Sequence, residues 1–151
     1  MVKKIIYSLL LIIFLFILTG CNYRQDSNIV ENESSKINEV IESVKVIINN
    51  TEYIINLEDN ETAESFVNNL PQKLEMNELN GNEKYVYLKQ SLPTNPSNIK
   101  HINAGDVMLY GDNCLVIFYK SFSTSYSYTK IGHIDNLPNL GSDNIIVKFK
   151  N

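Results

Sequence analysis

Six consecutive apolar residues, Cys114-Leu-Val-Ile-Phe-Tyr119, stand directly behind Gly111-Asp112-Asn113. A strand with one wet face alternates apolar and polar side chains; a run without alternation belongs in the centre of a core. Gly-Asp-Asn is a tight-turn sequence, and Val107 to Tyr110 before it is a second β-type run, so the two read as a hairpin. This hairpin constrains the whole chain, because everything else must be arranged around a fully covered strand.

The flanking sequence supplies further strands. Val44–Ile48 and Tyr53–Leu57 sit either side of Asn49-Asn50, a pair suited to a turn with positive φ. Leu74 and Met76 alternate with polar neighbours, and Tyr85–Leu88 follows the turn sequence Asn80-Gly81-Asn82. Ser91–Lys100, with Pro93 and Pro96, reads as a loop. Lys130–Ile134 and Ile145–Phe149 complete the strands, and Asn136–Leu140 between them suggests one helical turn. The period changes once. Ala63, Phe66, Val67 and Leu70 fall on one helical face, Asp59 or Asn60 can cap it, Glu61 and Glu64 suit its positive end, and Pro71 stops it. About eight strands and one clear helix on residues 43–151 predict a mainly β fold, a closed or nearly closed eight-stranded barrel.

The first 20 residues are different in kind. Lys3 and Lys4 precede a 14-residue apolar stretch, Ile5 to Leu18, interrupted only by Ser8. A spanning helix needs about 20 apolar residues, so the stretch fits the core of a signal segment better than a permanent anchor. Leu18-Thr19-Gly20-Cys21 follows and resembles the lipobox of bacterial lipoproteins. The resemblance implies cleavage before Cys21 and a diacylglycerol on its thiol, with the mature protein held by its acyl chains on the extracytoplasmic face of the cell membrane. Two acyl chains anchor stably where one is marginal. The alternative is an uncleaved apolar segment that ends at the cysteine. Residues 21–42 are polar and acidic with few apolar side chains and read as a tether, roughly 25 Å in r.m.s. length for a flexible chain of this size. Ile37, Val40 and Ile41 have the spacing of a short helix before the domain.

Charge narrows the partners. Thirteen basic and 17 acidic side chains give −4; with Lys3 and Lys4 set aside, 11 against 17 leave −6. An acidic chain of this kind is a poor nucleic-acid binder. Two cysteines exclude a disulfide scaffold.

Several short motifs, in order, are similar to the bacterial and archaeal cyclophilin-like family. They are Leu57-Glu-Asp-Asn-Glu-Thr-Ala63 leading to Leu70-Pro71, Gly81-Asn-Glu-Lys-Tyr85, Ser91-Leu-Pro93, Ala104-Gly-Asp106, Ile117-Phe-Tyr119 and Tyr128-Thr-Lys-Ile-Gly-His-Ile134. The resemblance implies an eight-stranded cyclophilin-type barrel, and it does not carry prolyl isomerase activity with it. Cyclophilins act through a barrel-face arginine that donates to the prolyl nitrogen and lowers a barrier of roughly 18–20 kcal/mol. The single arginine here, Arg24, lies in the tether, and the chain has no tryptophan for the family's pocket. Lysine does not reproduce the planar guanidinium fork.

Other chemistry is no better supported. His101, His133 and a carboxylate such as Asp106 have no metal-ligand spacing, Cys114 lies in an apolar strand, and no glycine-rich phosphate loop is present. No catalytic residue, metal or cofactor is expected. Ser121-Phe-Ser-Thr-Ser-Tyr-Ser-Tyr-Thr129 reads as a loop with Phe122, Tyr126 and Tyr128 among hydroxyl groups, a composition of recognition surfaces. These three aromatics either line a ligand site at a barrel mouth or simply cover a barrel end. Glu83, His101 and His133 are the polar candidates for the same site. The sequence therefore predicts a lipid-anchored envelope protein whose non-catalytic barrel binds a peptide, protein segment or small ligand. The alternatives are an extracytoplasmic prolyl isomerase or folding helper, and a structural envelope protein without a ligand.

Overall fold

The computed structural model of the chain describes residues 41–150. The apolar N-terminal run, the Leu18–Cys21 motif, the tether up to Val40 and most of the short helix suggested before the domain lie outside the described residues.

Within them the strands are β1 (Ser43–Ile48), β2 (Thr51–Leu57), β3 (Lys73–Leu79), β4 (Glu83–Tyr87), β5 (Ser97–Asn98), β6 (His101–Ile102), β7 (Asp106–Tyr110), β8 (Cys114–Phe118), β9 (Phe122–Ser123), β10 (Ser127–Ile134) and β11 (Ile145–Lys150). The helix is α1 (Glu61–Asn68). Eight strands form a closed antiparallel barrel in the order β2-β1-β11-β3-β4-β8-β7-β10, with β10 returning to β2. Two-residue strands β6 and β9 form a separate ribbon, and β5 extends the sheet beside the start of β10.

The turns follow from residue type. Asn49 and Asn50 carry φ of 49° and 67° and join β1 to β2 in register, Ile48 opposite Thr51. Asn60 caps α1 by accepting from the Ala63 amide at 2.9 Å. Ala63, Phe66 and Val67 on the helix are buried with the barrel interior, and Phe66 meets Phe149 edge to face at 5.6 Å. The opposite end is covered by residues 135–144. Leu137 and Leu140 are buried there, and fully buried Lys84 donates to the Gly141 and Asp143 carbonyls at 2.6 and 2.8 Å. Its ammonium also lies 4.9 Å from the Tyr119 ring centre. The helical turn expected at Asn136–Leu140 does not form. Asn136 takes φ of 55°, which ends any right-handed turn, and both leucines serve the barrel end instead.

The unbroken run in β8 is explained by two apolar layers. Leu115, Ile117 and the following Tyr119 point into the barrel, whereas Cys114, Val116 and Phe118 join Ile102, Met108 and Tyr128 on the outer wall. The β6–β9 ribbon contributes Ile102 and Phe122 to this outer layer. The Ser121–Thr129 segment is thus only partly a loop. β9 and the first three residues of β10 lie inside it, and its aromatics sit against the outer wall rather than at a barrel mouth. Ser and Thr gave no alternating apolar signal there, so the pairing is set by neighbouring strands. The Ser91–Lys100 loop likewise contains β5.

Closure depends on a close approach. Gly132 lies opposite Leu57, and a Cβ on it would collide with the Asn56 carbonyl oxygen and stand 2.8 Å from an Ile55 methyl. Gly132→Ala is expected to lower unfolding stability by about 3 kcal/mol, the upper part of the overpacking range. Gly111→Ala meets no atom within 4 Å and is strained only by its φ of 63°, so about 1 kcal/mol is expected. Urea unfolding of the two variants checks the contrast.

Candidate functional site

The outer wall carries a groove. Alternation along β4 turns Glu83, Tyr85 and Tyr87 outward, while Lys84 and Val86 face the interior. Cys114 is opposite Tyr87 on one side and Tyr110 on the other, so the thiol lies in the row between two tyrosines. Tyr126 and Tyr128, from the segment entering β10, form the far wall, and Leu79 and Asn80 from the β3–β4 hairpin close one corner. The enclosed volume is about 300 Å³, at the small end of ligand sites.

Aromatic geometry gives the groove its shape. Tyr110 packs against Tyr126 at 6.0 Å and 84°, and against Tyr128 at 5.6 Å and 52°. On the other side Tyr85 and Tyr87 stand at 6.0 Å and 84°. Tyr128 is buried, held edge to face by Phe118 at 5.5 Å. Tyr87, Tyr110 and Tyr126 are exposed, at 66%, 47% and 60%. Seven large hydrophobic side chains remain exposed among the described residues, and four of them, these three and Leu79, border this groove. A local concentration of exposed apolar surface marks a binding site more often than scattered single residues do.

The electrostatics are one-sided. Among the described residues no basic side chain lines the groove. Glu83 is half-buried, and burial, with Glu78 nearby, holds its carboxyl above the usual range. Burial pushes the Tyr128 phenol up to about 12, with the Glu83 charge adding to the effect. Burial and Glu83 also raise the Cys114 thiol. A raised thiol is the opposite of an activated nucleophile, so the geometry offers no cysteine chemistry.

The six residues singled out in the sequence separate here. Glu83, Tyr126 and Tyr128 meet in the groove. Phe122 packs on Phe118 at 5.6 Å and supports the wall from behind. His101 is exposed on β6, paired with Ser123. His133 lies on β10 opposite Asp106, where its Nδ1 is 3.0 Å from the buried Asp106 carboxylate. Asp106 also accepts from the Asn103 amide at 2.8 Å, and His133 Nε2 lies 3.7 Å from Asp135. These contacts pin the Asn103–Asp106 turn to β10 and place no nucleophile at the imidazole. Neither histidine borders the groove, and no cluster of three metal-ligating side chains occurs among the described residues. Sequence reasoning passed over Tyr85, Tyr87 and Tyr110. Their signal was the two-residue spacing of Tyr85 and Tyr87, which puts both on one strand face.

A profile of the cyclophilin-like family matches residues 46–150, and the chain belongs to that family. Searches of curated proteins and of solved structures gave no match.

Tyr126 and Tyr128 are not equivalent. Tyr128→Ala empties a buried site and is expected to cost roughly 3–5 kcal/mol of stability. Tyr126→Ala is expected to change stability by less than about 0.5 kcal/mol. Denaturant midpoints separate the two.

Glu83 gives a pH test. Its folded value lies above its unfolded one, so the folded state binds the proton more tightly. The associated stability is fully present below the unfolded carboxylate value, about 4.3, and is lost as pH rises through the raised value. Glu83→Gln should therefore be more stable than wild type at pH near 7, with the difference shrinking as pH falls to about 4. Thermal midpoints across that range measure it.

Proposed function

We propose that this protein is a membrane-anchored binding protein whose ligand occupies the tyrosine groove on the outer barrel wall. The observation that carries the reading is the convergence of exposed Tyr87, Tyr110 and Tyr126 with Leu79 on one concave surface. A closed barrel offers no free strand edge along its ring, so recognition by adding a strand is unavailable there and side chains must do the work. Aromatic faces provide large contact area at small entropic cost, because each tyrosine has only two rotatable side-chain bonds. The ligand is a small molecule or a short protein segment at the cell envelope. Among the described residues the lining holds no cationic donor, which weighs against prolyl isomerisation, since none of them can aim a charged hydrogen bond at a prolyl nitrogen. The anchor is the acylated Cys21, supported by the Leu18-Thr19-Gly20-Cys21 sequence behind its apolar run.

Two measurements test the proposal. Purified protein is screened for thermal stabilisation by envelope peptides and metabolites. A specific ligand at a hundred times its Kd adds about 2.7 kcal/mol, and the Tyr110→Ala/Tyr126→Ala double variant should lose that gain while folding normally. Ligands that stabilise both proteins equally would place binding elsewhere. In cells, mature protein should partition with membranes and begin at an acylated cysteine, and Cys21→Ala should leave the longer precursor. Mass spectrometry showing an intact Met1 terminus on wild type would remove the anchor from the reading.

A further inference from the structure

Glu83 is an anomaly within the groove. Its carboxylate is half-buried, yet among the described residues it has no hydrogen-bond or ion-pair partner. Its strand neighbour Lys84 does not neutralise it, because that ammonium points into the barrel and is held by the Gly141 and Asp143 carbonyls. The other nearby charge is Glu78, of the same sign. The Glu83 oxygens are not among the buried unpartnered atoms, so the carboxylate keeps access to solvent on the groove side while its burial lowers the screening of its charge. Glu83 and five tyrosines line the same groove.

Resting on the groove reading above, we infer that the groove binds a quaternary ammonium group, with the faces of Tyr87, Tyr110 and Tyr126 around the cation and Glu83 as its counter-charge. Tyrosine faces carry negative potential and attract a cation seated over them. The near-perpendicular pairs Tyr85–Tyr87 and Tyr110–Tyr126 set rings in different planes along the groove. The alkylated form follows from the acceptors present. A primary ammonium has three N–H donors to satisfy, as Lys84 shows with its two carbonyls and one ring. Five of the ten residues that line the groove are tyrosines and Glu83 is its one carboxylate, so ring faces make up much of the wall a cation would meet, which suits a cation without donors. A volume of about 300 Å³ accommodates a trimethylammonium headgroup with a short tail.

The test uses choline as the probe and neopentyl carbinol, in which carbon replaces the choline nitrogen, as its neutral isostere. Both are titrated into the purified protein and followed by NMR at the tyrosine rings and on β4, β7 and β8. Choline should saturate shifts at Tyr87, Tyr110 and Tyr126, with the alcohol at least about tenfold weaker, a difference within the range of cation–π recognition. Glu83→Gln should weaken choline by about tenfold and leave the alcohol unchanged. The thermal midpoint of this variant confirms that it is folded. Equal binding of the two compounds, or no effect of Glu83→Gln on choline, overturns the cation assignment while the groove remains a binding site. Absence of groove shifts with choline also overturns it. The groove reading falls separately, when ligands found in the thermal screen prove insensitive to the Tyr110→Ala/Tyr126→Ala pair.

Discussion

Everything in this structure depends on the seam between β10 and β2. Gly132, His133 and Ile134 pair with Leu57, Asn56 and Ile55, and those three pairs turn an eight-stranded sheet into a barrel. The approach leaves no room for a side chain at Gly132, and a register shift between Lys130 and Gly132 on the β7 side bends β10 into position. Once the ring is shut, inside and outside become distinct solvents. The interior is closed by α1 at one end and by the 135–144 segment at the other, the latter tied down by Lys84.

The outer wall inherits a different problem. β8 is apolar on both sides, so its outward residues need cover, and the Ile102–Phe122 ribbon with Tyr128 supplies it. That cover is incomplete toward the β4 side, where Tyr85, Tyr87 and Tyr110 remain reachable. The groove is the uncovered part of a second hydrophobic layer. Its acidity has the same origin, since strand alternation sends Glu83 outward and its neighbour Lys84 inward.

Much of the fold was readable in the residues because local signals agreed with one another. Asn49-Asn50, Asn80-Gly81 and Gly111 all adopt the positive φ their turns require, and the Ala63–Phe66–Val67 face folds as the helix its spacing predicts. The misses have physical causes. Asn136–Leu140 looked helical by local pattern, but burial of Leu137 and Leu140 under the barrel end decided its conformation. Ser127–Thr129 looked like loop because hydroxylated residues pair as readily as they turn. The groove was legible only in half. Tyr126 and Tyr128 stood out as a cluster in sequence, whereas Tyr85, Tyr87 and Tyr110 are brought beside them only by the order β4-β8-β7-β10. No local reading reveals which strands a barrel sets side by side.

Cys114 acquires an unplanned use from its position. It is the free sulfhydryl among the described residues, buried at 6% exposure in the row between Tyr87 and Tyr110. Burial and the Glu83 charge both suppress its thiolate, so a thiol reagent reacts only when the wall opens around it. Its modification rate therefore serves as a clock for breathing of the outer layer, set into the molecule without any added label. Anything lodged between those two tyrosines would slow that clock, and the sulfur would register occupancy of a surface whose occupant is optically silent.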